Sequence, residues 1–199
     1  MIEDIILASK SQIRSELLRK AGLKITVFDA NIDEQEVKLS YMNEGYSARD
    51  LADVLADMKA KKLSCKYLDK LVIGCDQIME CNGQILSKAN NPTNLIEQLR
   101  DLRNNSHTLY SACVVYFANK PEWRFIGSAT ITMRNLSDEY ISKYVDSNWN
   151  EVKHCVGGYR IENSGIAMLS KINGDYFSIL GLPIIQLIDH LVNRGVLKH

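Results

Sequence analysis

The sequence predicts a single α/β domain built on a mixed, twisted sheet flanked by helices. Three observations predict it. Short apolar runs such as Ile5–Ala8 read as buried strands, segments with apolar residues at helical spacing alternate with them, and a later pair of extended segments is joined by a turn. Strands alternating with helices call for crossovers and parallel pairing, whereas a hairpin adds antiparallel pairing to the same sheet. A chain of 199 residues buries a stable core without disulfide or metal staples. No internal repeat, low-complexity tract or linker divides it, so the domain is expected to span residues 1–199.

Each element has a local reason. Ile5–Ala8 is the first strand; Ser9-x-x-Gln12 behind it has the spacing of a capping box for a helix with Ile13, Leu17, Leu18 and Ala21, which Gly22 ends. Residues 24–28 read as a second strand. Ser47 can cap a helix whose stripe is Leu51, Val54, Leu55 and Met58, with Lys59 beside that stripe. Residues 71–75 form the next buried strand, and residues 78–86 hold Asn82-Gly83 between two extended segments, a strong hairpin signal. Pro92 suits a first helical position ahead of Leu95, Leu99 and Leu102. Two longer β segments, 111–117 and 125–133, are joined by a turn with Asn119, Lys120 and Pro121. Ser137 then opens a helix with Tyr140, Ile141, Tyr144 and Val145. A strand near 166–169 and a helix over 183–193, stopped by Gly195, complete the chain.

Charge and composition bound the function. The 24 basic and 24 acidic residues cancel, which argues against a protein that lives on attraction to a nucleic-acid backbone. The longest apolar run, residues 112–118, is far too short to span a bilayer, and the N-terminus lacks the basic start and long apolar stretch of a secretion signal. The expectation is a cytoplasmic protein with neither nucleic-acid nor membrane partners. The cysteines Cys65, Cys75, Cys81, Cys113 and Cys155 are odd in number and contain no Cys-x-x-Cys pair, so they read as reduced, mostly buried thiols. His107, His154, His190 and His199 show no metal-ligand spacing. Trp123 and Trp149 read as partly buried packing residues.

The P-loop, the Gly-x-Gly-x-x-Gly turn, His-Glu-x-x-His and Gly-x-Ser-x-Gly are all missing from the sequence. What remains is a set of hydroxyl and charged residues around strand ends. Ser9, Ser11 and Arg14 lie where the first strand passes into the first helix, a place whose free N–H groups and dipole favour an anion; alternatively the serines only cap and Arg14 is solvated. Asp76 directly follows the apolar run 71–75. A carboxylate at the carboxyl end of a strand can hold a hard cation or take a proton from water, or can satisfy a turn. Glu34, in an acidic loop, and Lys59 and Lys88 taken singly read equally well as hydrated surface charges. Their combination is what informs.

In order along the chain stand Leu7-Ala8-Ser9-Lys10-Ser11-Gln12-Ile13-Arg14-Ser15-Glu16-Leu17-Leu18, Ile32-Asp33-Glu34, Ala56-Asp57-Met58-Lys59-Ala60, Val72-Ile73-Gly74-Cys75-Asp76-Gln77, Gly157-Gly158-Tyr159-Arg160-Ile161-Glu162 and Gly174-Asp175-Tyr176-Phe177 followed by Gly181-Leu182-Pro183. This series resembles the Maf family of nucleoside triphosphate pyrophosphatases over nearly the whole chain. The resemblance implies a fold like that of the Maf and inosine triphosphate pyrophosphatases, a usual homodimer, and cleavage of a nucleoside triphosphate to its monophosphate and pyrophosphate. It implies dependence on a divalent cation, Mg²⁺ or Mn²⁺. The family's catalytic aspartate falls on Asp76, its phosphate-handling positions on Ser9, Ser11, Arg14, Lys59 and Lys88, and its other acidic position on Glu34. Glu34 and Asp76 are the expected metal ligands. Base selection falls on Ile13, Gln77 and Glu162.

The residues agree with that chemistry. A polyphosphate needs cations where charge gathers, and Arg14, Lys59, Lys88 and a metal supply them. Asp76-Gln77 with Glu162 resembles the branch of the family in which some members prefer 7-methyl-GTP. Ile13, Gln12 and Asn163 depart from residues common at their positions. The alternatives are a nucleotide-binding regulator of cell division and septum formation with little turnover, a role also associated with the family, and a house-cleaning hydrolase of the inosine-triphosphate type. Tyr176 and Phe177 are expected to pack the last strand on the final helix, with Asp175 near the cleft.

Overall fold

The computed structural model describes residues 4–197; His199 lies outside them. Along the chain run β1 (Ile5–Ala8), α1 (Gln12–Lys20), β2 (Ile25–Val27), α2 (Glu34–Asn43), α3 (Ala48–Ser64), β3 (Leu71–Cys81), β4 (Gln84–Leu86), α4 (Pro92–Leu102), β5 (Ser106–Phe117), β6 (Lys120–Met133), α5 (Asp138–Val152), β7 (Leu169–Gly174), α6 (Tyr176–Ile179) and α7 (Ile184–Asn193). The expected α/β class with a mixed sheet flanked by helices is what forms. Two compact units emerge from the packing. The first holds the described residues up to Gln77, Tyr110–Gly127 and those from Asp175 onward; the second holds Ile78–Leu109 and Ser128–Gly174.

In the first unit the strands lie in the order β2-β1-β3-β5-β6. β1 pairs in parallel with both neighbours, Ile5 opposite Ile25 on one side and opposite Leu71 on the other, as the helical crossovers require. One face of this sheet is sealed by α1 and α7. Leu18, Leu187 and Leu191 pack with Ile5, Leu7, Leu71, Ile73, Cys75, Cys113 and Val115. On α3, Leu51, Ala52, Leu55, Ala56, Ala60 and Leu63 are buried, and the helix lies unusually close to β3 at Gly74. A Cβ at Gly74 would stand 2.7 Å from the backbone nitrogen of Ala60 and 2.8 Å from its Cβ, so only glycine on the strand, facing small residues on the helix, allows the approach. Ala118 and Asn119, with φ of 48° and 59°, make the two-residue turn between β5 and β6.

In the second unit β4 folds back on β3 through Asn82-Gly83, both at positive φ, with Cys81 opposite Gln84. β7 pairs antiparallel with β6, Ala129 opposite Gly174. Leu95, Leu99 and Leu102 of α4 and Ile141, Tyr144 and Val145 of α5 form its helical core, with Arg103 paired to Asp138 at 2.6 Å.

Several expectations are corrected. Ser11, not Ser9, caps α1, accepting from the Arg14 backbone nitrogen, because the helix starts at Gln12 rather than at Lys10. The runs 71–75 and 78–81 belong to one strand: Asp76 and Gln77 keep the alternation, so Asp76 sits inside β3 and not at its end. Glu34 is not a loop residue but the first residue of α2, which Asp33 caps. That helix escapes periodicity because none of its residues is buried. The segment expected as a strand at 166–169 is mostly a 3-10 turn, Ser164–Met168, and the strand follows it. Lys120 and Pro121 open β6 instead of forming the turn. Tyr176 is exposed rather than packed, and Phe177 alone reaches the core.

Candidate active site

The first unit gathers most of the predicted residues. Lys59 is carried by α3 and Asp76 by β3, and the close approach at Gly74 brings the Lys59 ammonium within 2.6 Å of Asp76 Oδ1. The same Nζ lies 2.6 Å from Glu34 Oε1, delivered by the first turn of α2. Lys59 is 8% exposed and Asp76 5%. Burial alone would lower the Lys59 ammonium, but the charges of Asp76 and Glu34 and the hydrogen bonds to them outweigh it and hold the group above the ordinary lysine range. Asp29, two residues past the end of β2, joins this field. Its hydrogen bond to Lys10, then one from the Asn31 backbone and the charges of Lys10 and Lys59, hold it below the ordinary carboxylate range. Sequence reading missed Asp29, since nothing in its spacing separates it from other acidic turn residues.

Arg14 is the second feature. It is not solvated but 9% exposed, and its guanidinium is fixed from three directions. Nε donates to the Gly181 carbonyl at 2.8 Å, and NH1 donates to Ser9 Oγ and to the Cys75 carbonyl, each at 3.0 Å. Among the described residues no carboxylate pairs with it. A buried cation held by neutral acceptors is a site prepared for an anion. Ser9 is buried, and its hydroxyl also accepts from the Ser11 backbone nitrogen at 3.3 Å, so the strand-to-helix loop is organised around these two hydroxyls.

Gln77 points away from Asp76, because adjacent strand residues face opposite sides. Its amide nitrogen lies 2.9 Å from Ser111 Oγ and 3.0 Å from each of the Ser178 and Ile179 carbonyls. Ile13 is half-buried on α1. Lys88 and Glu162 belong to the second unit, Lys88 exposed in the segment after β4. There Glu162 is paired with Arg160 at 2.9 Å. Burial pushes the Cys155 thiol up, and the charges of Arg160, Glu162 and Lys88 all act on it, so the two predicted residues share one neighbourhood within that unit. Asp175 caps α6, its Oδ2 accepting from the Ser178 nitrogen at 2.7 Å.

No group of three or more His, Cys, Asp or Glu residues among the described residues makes a metal cage. Two carboxylates do converge. Asp76 Oδ1 and Glu34 Oε1 each hold the same ammonium at 2.6 Å and so lie no more than twice that distance apart. The Lys59 nitrogen thus stands where a cation is already accommodated. Among the described residues no helix is long and apolar enough to cross a membrane.

Comparisons with known proteins agree in their direction. Residues 4–194 match the family model described as Maf-like protein. The nucleoside triphosphate pyrophosphatase of Roseobacter denitrificans is 44% identical over 98% of both chains, and that of Ruegeria sp. (strain TM1040) is 40% identical over 100% of both. The 7-methyl-GTP pyrophosphatase of Bartonella quintana is 36% identical over 99% of this chain and 98% of its own. With matches that run almost from end to end and take in both the Arg14 pocket and the Glu34–Lys59–Asp76 cluster, the chain belongs to the Maf-like protein family.

Proposed function

We propose that this protein is a nucleoside triphosphate pyrophosphatase, a hydrolase that cleaves the bond between the α and β phosphates and releases a nucleoside monophosphate and pyrophosphate. The observation that carries the reading is the pairing, in one unit, of a buried guanidinium with no acidic partner among the described residues and a buried carboxylate held by lysine. The first is suited to a phosphate oxygen and the second to a water molecule. The names borne by relatives of full-length similarity support the same substrate class.

In this reading Arg14 grips the polyphosphate through NH2, the guanidinium nitrogen that its protein partners leave unused, while the loop at Ser9 and Ser11 adds neutral donors. Asp76 gives Oδ1 to Lys59 and keeps Oδ2 for a water, which it orients and from which it accepts a proton as the oxygen attacks the α-phosphorus. The α-phosphorus–oxygen bond to the β-phosphate breaks as the new bond forms, and pyrophosphate leaves with that oxygen. Lys59 stays charged through the cycle and faces the developing negative charge. Lys88 is assigned to the leaving pyrophosphate by the family pattern.

Glu34 and Asp76 are the residues that would hold a Mg²⁺ or Mn²⁺ ion, since their two carboxylates converge on one point and such ions are commonly taken by one or two carboxylates. Bound there, the ion would supply charge neutralisation on the phosphates. Base choice is assigned to Ile13, Gln77 and Glu162. With its amide nitrogen engaged by protein acceptors, Gln77 has its carbonyl oxygen to offer, and Glu162, in the second unit, carries carboxylate oxygens; each accepts from N–H donors such as those of a guanine-like or modified purine. A house-cleaning role in the cytoplasm and a homodimeric state complete the proposal.

The test is pyrophosphate release from a panel of natural and modified triphosphates, with and without Mg²⁺. Release with Mg²⁺ that falls at least about 100-fold in Asp76→Asn, assayed well below that variant's own Tm, is the expected result. Tight triphosphate binding without release would favour the regulator of cell division instead.

A further inference from the structure

Arg14 owes its aim to two backbone carbonyls of different standing. The Cys75 carbonyl is part of β3 and rigid. The Gly181 carbonyl lies two residues past α6, a helix of only four residues that cannot hold its own shape, because a single helical turn forms too few hydrogen bonds to offset the freedom it loses. α6 is instead held from outside. Ser111, fully buried in the apolar strand β5, donates its hydroxyl to the Ser178 carbonyl at 2.7 Å, and the Gln77 amide donates across that hydroxyl and the Ser178 and Ile179 carbonyls. These are the carbonyls at the C-terminal end of α6, and that of Ser178 also accepts from the Gly181 backbone nitrogen at 3.2 Å, so the side chains and the turn at Gly181 are tied to one atom. At the other end Asp175 accepts from both the backbone nitrogen and the hydroxyl of Ser178, at 2.7 and 2.9 Å. Gly181 then turns at φ 90°, and a Cβ there would press on Arg14 Nε and NH2 at 3.1 Å.

We infer that Ser111, acting with Asp175 through α6 and the Gly181 carbonyl, is a positioning residue that aims the Arg14 guanidinium at the triphosphate. This rests on the pyrophosphatase reading and deepens it. A serine buried as completely as Ser111 has no packing reason to carry a hydroxyl. That hydroxyl is explained by the helix end it holds, and that helix end by the arginine it fixes.

The experiment is steady-state kinetics of pyrophosphate release for Ser111→Ala, Arg14→Ala and the double variant, with Ser111→Thr, which retains the hydroxyl, as the rescue and Tm as the check on folding. Loss of one buried hydrogen bond predicts a rise in KM of roughly 3- to 10-fold for Ser111→Ala with kcat changed less. In the Arg14→Ala background the same change should add nothing, since the group it aims has gone. Should Ser111→Ala not fold, Asp175→Ala, on the half-exposed side of α6, must give the same KM rise and the same silence without Arg14. Additive effects in the double variant, or a fall in kcat at constant KM, would overturn the assignment. Wild-type protein that released no pyrophosphate would overturn the functional reading itself, so the two failures are told apart.

Discussion

Replacing Lys59 by methionine isolates the electrostatics of the candidate site. The change keeps most of the side chain's volume and removes only the ammonium, leaving Asp76, 5% exposed, without the cation 2.6 Å from its Oδ1. Breaking a buried ion pair from one side typically costs about 3–5 kcal/mol, because the surviving charge keeps its desolvation penalty and loses its compensation. Glu34 has a side chain 36% exposed and can turn to water, so its share is discounted and the lower end applies. About 3 kcal/mol at pH 8 corresponds to a fall in Tm of roughly 6–12 °C for a domain of this size. The penalty belongs to the unpaired carboxylate, so it should shrink when that carboxylate is made neutral. Urea denaturation of wild type, Lys59→Met, Asp76→Asn and the double variant at pH 8 measures this. The loss caused by Lys59→Met should be at least halved in the Asp76→Asn background. A loss of equal size in both backgrounds would mean that packing, not charge, is what the lysine contributes, and the reading of the cluster would fail.

Three further outcomes follow from the same geometry. Gly74→Ala places a methyl group against the Ala60 backbone, so α3 must retreat; a loss of about 1–3 kcal/mol in urea denaturation is expected, together with a drop in turnover as Lys59 leaves Asp76. His107 is buried, its Nε2 is 2.6 Å from Tyr159 Oη, and burial pushes it down to about 4. The unfolded chain therefore binds the extra proton first, and stability falls as pH drops from about 6.5 to about 4, by about 3 kcal/mol at the end of that window; His107→Gln should flatten the slope in urea titrations over this range. If Glu34 is a ligand of the proposed Mg²⁺ ion, the Mg²⁺ concentration giving half-maximal pyrophosphate release should rise by at least about tenfold in Glu34→Gln, and an unchanged requirement would overturn that role.

Sequence alone was a good guide wherever local chemistry acts locally. Ser47, Asn82-Gly83, Pro92 and Ser137 mark real boundaries, because caps, positive-φ turns and first-turn prolines work through backbone geometry within a few residues. The order of motifs likewise brought the family into view, and with it Arg14, Lys59, Asp76 and Glu34. α2 was not legible, because a helix that buries none of its residues carries no periodic pattern, and neither was the continuation of β3 through Asp76, because a charged residue interrupts an apolar run.

Only the tertiary structure decided what those residues are to one another. Whether Arg14 is a solvated cap neighbour or a buried anion site depends on carbonyls at Cys75 and Gly181, 61 and 167 residues away, and no local pattern encodes them. Ser111 reads as an ordinary strand residue until Ser178 is found above it, 67 positions on. The sequence names the chemical groups and the stretches that carry them. Their charges, burial and hydrogen-bond partners arise from contacts between distant segments, and it is those contacts that set a lysine against an aspartate and bury an arginine among carbonyls.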